Sequence, residues 1–288
     1  MTSSANFINF NGKILPSGTA VLTPDNRGFR YGDGIFETMA VKNGRIRLAD
    51  LHFDRLTAGA RYLQLGLSSP FTAEQLAGEV GTLCEKNGHS VSARVRLVLF
   101  RGEGGIREGG ISDGQGALPN YIIQTSPLPP ANDEFNRDGL SIGLFPDARK
   151  ACDPLSNLKS NNYLLYVLAG IYGQKQGNDD CLVLNSQDRI ADSTIANLFF
   201  VKAGRIYTPP LSEGCVAGVM RRFLLGMLPA AGFDCSEKPV TVEDLAGVDE
   251  IFLTNALKGI KWVGSFRART YTHRLTRSLY QELVKQLA

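Results

Sequence analysis

Residues 182–221 read LVLNSQDRIADSTIANLFFVKAGRIYTPPLSEGCVAGVMR. Apolar and polar residues alternate through 182–192 and again through 197–208, the period of paired strands, with Gly204 in the second turn and Pro209-Pro210 ending the second pair. A loop bracketed by Gly214 and Gly218 follows, and the apolar run from Val219 reads as a helix. A strand, a glycine-bearing loop and a helix start together form a nest of backbone amides that suits a phosphate. One carboxylate, Asp192, stands five residues before Asn197 on this otherwise apolar segment. In water it is an ordinary turn or strand-edge acid, whereas a buried acid needs a cationic partner.

Around this stretch lie 288 residues, 43% hydrophobic and 20% charged, enough to bury a full core in one large or two modest domains. Lys and Arg number 31 against 28 acids, an excess too small and too dispersed to argue for nucleic acid or an anionic membrane as partner. Cys84, Cys152, Cys181, Cys215 and Cys235 are far apart, with no CxxC pair and only three His, which argues for reduced thiols in a cytoplasm and against a structural metal site. The start MTSSANFINFNGK has no basic segment followed by an apolar one, and no apolar run is long enough to cross a bilayer.

Towards the N-terminus, FINFNGKILP and the following TAVLTPDNRG alternate as short strands joined by turns do. In RGFRYGDGIFET, residues 27–38, two glycines flank Asp33, and Arg27, Arg30 and Tyr31 crowd the same corner. The strand that follows turns at Asn43-Gly44, a strong hairpin signal. The period then changes. Leu51, Leu56, Ala60 and Leu63 fall on one stripe of a helix starting near Ala49-Asp50, with Arg55 close to that stripe, where an arginine either snorkels or pairs with an anion. A second helix over about residues 72–87 ends at Gly88. In SARVRLVLFRG, Arg94 and Arg96 share one strand face and Val95, Leu97 and Leu99 the other, so the arginines face away from the core together, on a solvated face or as a carboxylate receptor. The glycine-rich loop after them carries Arg101 and Arg107.

Proline and polar residues at 127–137 mark a linker between a domain at 1–126 and a second at 138–288. Past it, Lys159 stands where LKSNNY turns into an apolar helix. The final third alternates a helix to about Ala231, a short strand near Lys238, a helical turn at TVEDLAG, a strand ending at Thr254, Asn255 and Ala256, and an amphipathic tail helix.

The order Asp192, Asn197, Leu198, Phe199, Thr208, Gly218, Arg221, together with GDGIFET, HFDRL, LKSNNY and LTNALKG, resembles the class IV aminotransferases, the pyridoxal-phosphate enzymes of fold type IV. The resemblance spans nearly the whole chain with its landmarks in family order. It implies an α+β protein with a small N-terminal α/β domain and a larger C-terminal domain built on a mainly antiparallel β core. It further implies a homodimer binding pyridoxal 5'-phosphate and acting on small amino acids and 2-oxo acids. Lys159 takes the position of the lysine that holds the cofactor and moves the substrate proton, and Asp192 that of the acid on the pyridine nitrogen, where the family normally has Glu. Arg55, Gly218, Val219 and Met220, with Asn255 or Thr254, take the phosphate positions, and Tyr163 that of a partner to the phenolic oxygen. Arg27, Arg30, Tyr31, Arg94, Arg96 and Arg107 are the candidates for binding the substrate carboxylate. The family contains branched-chain aminotransferases, D-amino-acid transaminases and aminodeoxychorismate lyases. The arginines favour an amino-acid transaminase with a D-amino acid donor slightly ahead, the RGEGG run points to the lyase, and the Asp at 192 keeps a catalytically silent binder of a phosphate ligand open.

Overall fold

Alternating sequence becomes strand where a partner edge is available to take its backbone hydrogen bonds. The computed structural model describes residues 6–67, 71–105, 119–129, 132 and 134–287. The chain forms two units, Met1–Pro130 with Lys159–Asn162, and Ala131–Leu158 with Tyr163–Ala288.

In the first unit the strands β1 (Phe7–Phe10) and β2 (Lys13–Pro16) form a hairpin, and the short helix α1 (Arg27–Tyr31) precedes β3 (Gly34–Lys42) and β4 (Arg45–Ile46). Helices α2 (Ala49–Tyr62) and α3 (Ala73–Lys86) come next, followed by β5 (Ser92–Phe100) and β6 (Asn120–Pro127). The sheet runs β2-β1-β6-β5-β3-β4, antiparallel throughout. Met39, Val95, Leu97 and Ile123 from the sheet bury against Leu56, Leu76 and Leu83 of the two helices. Fully burying such a side chain stabilises by about 1.5–3 kcal/mol. The expected strand at TAVLTPDNRG does not form: β2 is the sheet's outer strand, the chain turns away after it, and most of the segment is exposed. Arg27–Tyr31 is helical instead, because the Asn26 side chain accepts from the Phe29 amide and caps a first turn.

The second unit follows as β7 (Leu140–Leu144), α4 (Leu164–Lys175), β8 (Asp180–Leu184), β9 (Ile190–Ser193), β10 (Asn197–Lys202) and β11 (Arg205–Thr208). It continues through α5 (Val219–Ala230), β12 (Cys235–Glu237), β13 (Glu250–Asn255), β14 (Gly259–Phe266), β15 (Arg269–Thr270) and α6 (Arg274–Leu287). The strands line up as β12-β11-β10-β13-β14-β7-β8-β9, with β15 beside β14. Most pairs are antiparallel, while β11 with β12, β14 with β7 and β7 with β8 are parallel. Leu182, Leu198, Phe200, Ile251, Leu253 and Val263 form the main apolar layer. Cys181 and Val183 point the other way and pack with Tyr166 and Ala169 of α4.

The pairing of β8 with β9 has one irregularity that matters. Leu184 pairs with Ile190 but Val183 pairs with Asp192, so Ala191 is an extra residue in the ladder. Strict alternation puts Asp192 on the face of Ile190, in the main apolar layer. The bulge reverses it onto the face of Val183, towards α4.

Candidate active site

Asp192 is 2% exposed, so it is not a strand-edge acid in water. Its Oδ2 accepts from Lys150 Nζ at 3.1 Å, from the Tyr166 hydroxyl at 2.7 Å and from the Val216 amide at 2.9 Å, while its Oδ1 accepts from Asn197 Nδ2 at 2.9 Å. The cationic partner that a buried acid requires is therefore within the chain. Burial, and then the charge of Asp192, push the Tyr166 phenol well above its ordinary value. The same two causes push the Cys215 thiol up to about 12. The Tyr163 hydroxyl donates to Thr194 O at 3.2 Å, and its ring packs on Tyr166 with centroids 4.5 Å apart.

Asn197 also donates to Val216 O, which ties β10 to the loop before α5. That loop ends at Gly218, the N-cap of α5, which offers no side chain to cap the amides of Val219 and Met220. A Cβ on Gly218 would lie 1.8 Å from Asn197 Oδ1, so only glycine lets the helix start this close to the strand. Thr254 pairs with Asn197 across β13 and β10 and shares its face. Its hydroxyl is buried without a hydrogen-bond partner among the described residues. Asn255 instead spends its Oδ1 on the amides of Leu257 and Lys258 in the β13–β14 turn. Of the two residues proposed to complete a phosphate cup, Thr254 thus has the unengaged group.

In the first unit, Lys159–Asn162 lies against β3: the Phe36 amide donates to Lys159 O at 2.8 Å and the Asn161 amide to Gly34 O at 2.9 Å. Gly34 permits the approach, since a Cβ there would meet Asn161 Nδ2 at 2.7 Å and Leu99 O at 2.6 Å. Lys159 is half-buried, its Nζ 4.5 Å from the centroid of the Phe36 ring. The Arg96 guanidinium stands 4.0 Å from the same centroid. On the opposite, helix-covered face, Glu37 is buried, accepts from Arg55 Nε at 2.7 Å and lies 2.6 Å from His52 Nδ1. Burial pushes the Glu37 carboxyl up, but the charge of Arg55 and the hydrogen bonds from His52 and Arg55 outweigh it and hold it at about 2. Arg55 is thus engaged by an internal carboxylate.

The other substrate candidates do not gather at one point. Arg27 pairs with Asp33 and donates to Gly105 O, and Arg101 joins it on Asp33. Arg30 is bound to Asp25 and Pro24 O, Tyr31 is exposed, and Arg94 is exposed on the face of Arg96. Arg107 lies outside the described residues.

A family profile described as amino-transferase class IV matches residues 34–266. The chain belongs to the class IV aminotransferases. An aminodeoxychorismate lyase of Vibrio harveyi is 31% identical over 84% of this chain and 86% of its own length. A Methanocaldococcus jannaschii protein, provisionally named a branched-chain-amino-acid aminotransferase, is 30% identical over 86% and 83%. Among solved structures, the 4-amino-4-deoxychorismate lyase of Pseudomonas aeruginosa superposes with a TM-score of 0.82 at 31% identity, covering 97% of this chain and 99% of the other.

Class IV aminotransferases, the family to which this chain belongs, are pyridoxal-phosphate enzymes. The residues present suit the cofactor: an unpartnered buried hydroxyl at Thr254 and a helix start that a single Cβ would obstruct are features a phosphate would use. Three participants escaped the sequence reading. Lys150 and Tyr166 carried no signal, because their approach to Asp192 depends on the bulge. Glu37 did carry one: it falls on the same strand face as Ile35, Met39 and Val41, opposite a helix with His52 and Arg55 three residues apart.

Proposed function

We propose that the protein moves an amino group between an amino acid and a 2-oxo acid on bound pyridoxal phosphate, with a D-amino acid slightly ahead of a branched-chain L-amino acid as donor. When bound, this cofactor supplies an aldehyde that condenses with amines and a ring that accepts the electron pair left by a departing proton. Lys159 holds the cofactor and then carries the proton to and from the substrate α-carbon. Asp192 holds the ring nitrogen. The amides of Val219 and Met220, the Thr254 hydroxyl and Arg55 hold the phosphate, Gly218 serving by its lack of a side chain because its own amide donates to Val216 O, and Tyr163 meets the phenolic oxygen. Arg96, the candidate that shares the Phe36 ring with Lys159, takes the substrate carboxylate.

The observation carrying this reading is that Lys159 and Arg96 stand over one aromatic ring, so an amine able to work on a carbon and a cation able to hold its carboxylate are neighbours. Half-reaction spectroscopy over a panel of D- and L-amino acids tests it. The visible band should shift with a D-amino acid, and borohydride should leave a pyridoxyl tag on the peptide containing Lys159. No band and no tag after incubation with pyridoxal phosphate would end the reading.

The lyase is a second reading, supported by the two lyases at 31% identity. Pyruvate release from aminodeoxychorismate, with no half-reaction on amino acids, would favour it.

We further infer a homodimer, since Leu164, Val167, Leu168 and Ile171 leave an exposed apolar stripe along α4. Sedimentation of wild type and Leu168→Glu tests this. Five free cysteines fit a reducing cytoplasm, which fractionation of the native host would check.

A further inference from the structure

The second unit contains a buried cation that the roles above leave without one. Lys150 is 9% exposed. Its backbone is fixed as a one-residue extension beside β8, the amide donating to Leu184 O at 2.9 Å and the carbonyl accepting from Ser186 at 2.8 Å. From there Nζ donates to Ser156 O at 2.9 Å and to Asp192 Oδ2 at 3.1 Å, and lies 5.2 Å from the Tyr166 ring centroid.

The carboxylate is loaded asymmetrically. Three donors converge on Oδ2, among them the ammonium, whereas Oδ1 takes one neutral donor, Asn197. A carboxylate oxygen accepts along two lone-pair directions, so Oδ1 retains one. Burying an ammonium is costly unless it is paired, and it is here paired with the acid expected to serve the cofactor.

We propose that Lys150 is a positioning residue that acts through Asp192: it occupies Oδ2 as a permanent counter-ion and leaves Oδ1 to the pyridine nitrogen, which then meets a carboxylate already partly neutralised and holds its proton less firmly. This rests on the reading of Asp192 as the acid for that nitrogen. Tyr166 from α4 and Cys215 from the loop before α5 are the other titratable groups facing Asp192, and both stay neutral through the range used below. Tyr163 lies behind Tyr166, and Arg221, beyond Cys215, is bound to Glu237. The ammonium therefore supplies the charge that tunes the acid.

The test titrates the visible absorbance of the reconstituted enzyme from about pH 6 to 10. A positive ring nitrogen makes the nitrogen of the linkage to Lys159 release its proton at lower pH. Lys150→Met strengthens the hold of Asp192 on the ring proton, so the midpoint should fall by about one pH unit, the effect of one charge at this range. Lys150→Arg should titrate like wild type. Asp192→Asn should move the midpoint upward, opposite in sign, and weaken cofactor binding in equilibrium dialysis. Tyr166→Phe removes a neutral donor and should leave the midpoint in place. If Lys150→Met melts lower but titrates as wild type while Asp192→Asn shifts upward, Lys150 only supports the fold and the proposal is overturned. A Tyr166→Phe shift equal to that of Lys150→Met overturns it as well. If Asp192→Asn changes neither midpoint nor binding, the reading of Asp192 fails first. Should Lys150→Met not fold, Lys150→Gln, which can keep the bond to Ser156 O, gives the same readout.

Discussion

Glu37 on β3 and Arg55 on α2 face each other across the helix-covered side of the first sheet, with Arg55 Nε 2.7 Å from Oε1. With His52 they make a charged cluster inside an apolar layer, and its energy depends on the carboxylate staying ionised. The folded carboxyl is held at about 2, below its ordinary 4.5. Its stabilisation is therefore complete above about pH 5 and is lost as pH falls from about 4.5 towards 2. Glu37→Gln should lower stability at pH 7 by about 3 kcal/mol and flatten the acid limb of a stability–pH curve measured by urea unfolding. An acid limb identical to wild type would contradict this.

The Phe36 ring lies within cation–π reach of both the Lys159 ammonium and the Arg96 guanidinium. A cation over an aromatic face gains about 0.5–2 kcal/mol. Phe36→Leu keeps an apolar side chain but removes that attraction, so kcat/KM for amino acids should fall about tenfold with the melting temperature little changed. Steady-state kinetics with thermal unfolding checks both halves.

Gly218→Ala places a Cβ against Asn197 Oδ1. Either the helix start retreats or Asn197 turns and drops its bond to Asp192. Stability should fall by about 1–3 kcal/mol, as for other overpacked sites, and cofactor affinity should fall with it. Calorimetry and a pyridoxal-phosphate titration give the two numbers.

Thr254→Val separates binding from folding. The hydroxyl has no partner among the described residues, so replacing it by a methyl should leave the apoprotein as stable or more stable. Loss of a hydrogen bond to a charged phosphate, worth about 1.5–3 kcal/mol, should weaken cofactor binding at least tenfold by equilibrium dialysis. Unchanged affinity would remove Thr254 from the phosphate site.

Much of this was legible before any coordinate. The 182–221 stretch announces two hairpins with Gly204 in the second turn, a loop bracketed by Gly214 and Gly218 and a helix start, and these are β8–β9, β10–β11, the loop after β11 and α5. Arg94 and Arg96 fall on the outer face of β5 because period two is local. The segment after β2 misled: it alternates as a strand does, but the chain turns away at Ser17 and Thr19, and no further strand is added to the β2 edge among the described residues. Arg27 and Arg30, candidates in the sequence for the substrate carboxylate, are matched by Asp33 and Asp25, acids a few residues away.

By itself the sequence determined the elements, their order and the residue types from which a phosphate cup and an amine-bearing site are made, because periodicity, turns and caps act within a few residues. Tertiary structure alone decided what Asp192 faces. One residue of bulge at Ala191 turns it from the layer of Ile190 to that of Val183, and only there do Lys150, Tyr166 and Asn197 reach it. A ladder register is set by two strands at once, so no reading of either strand alone contains it.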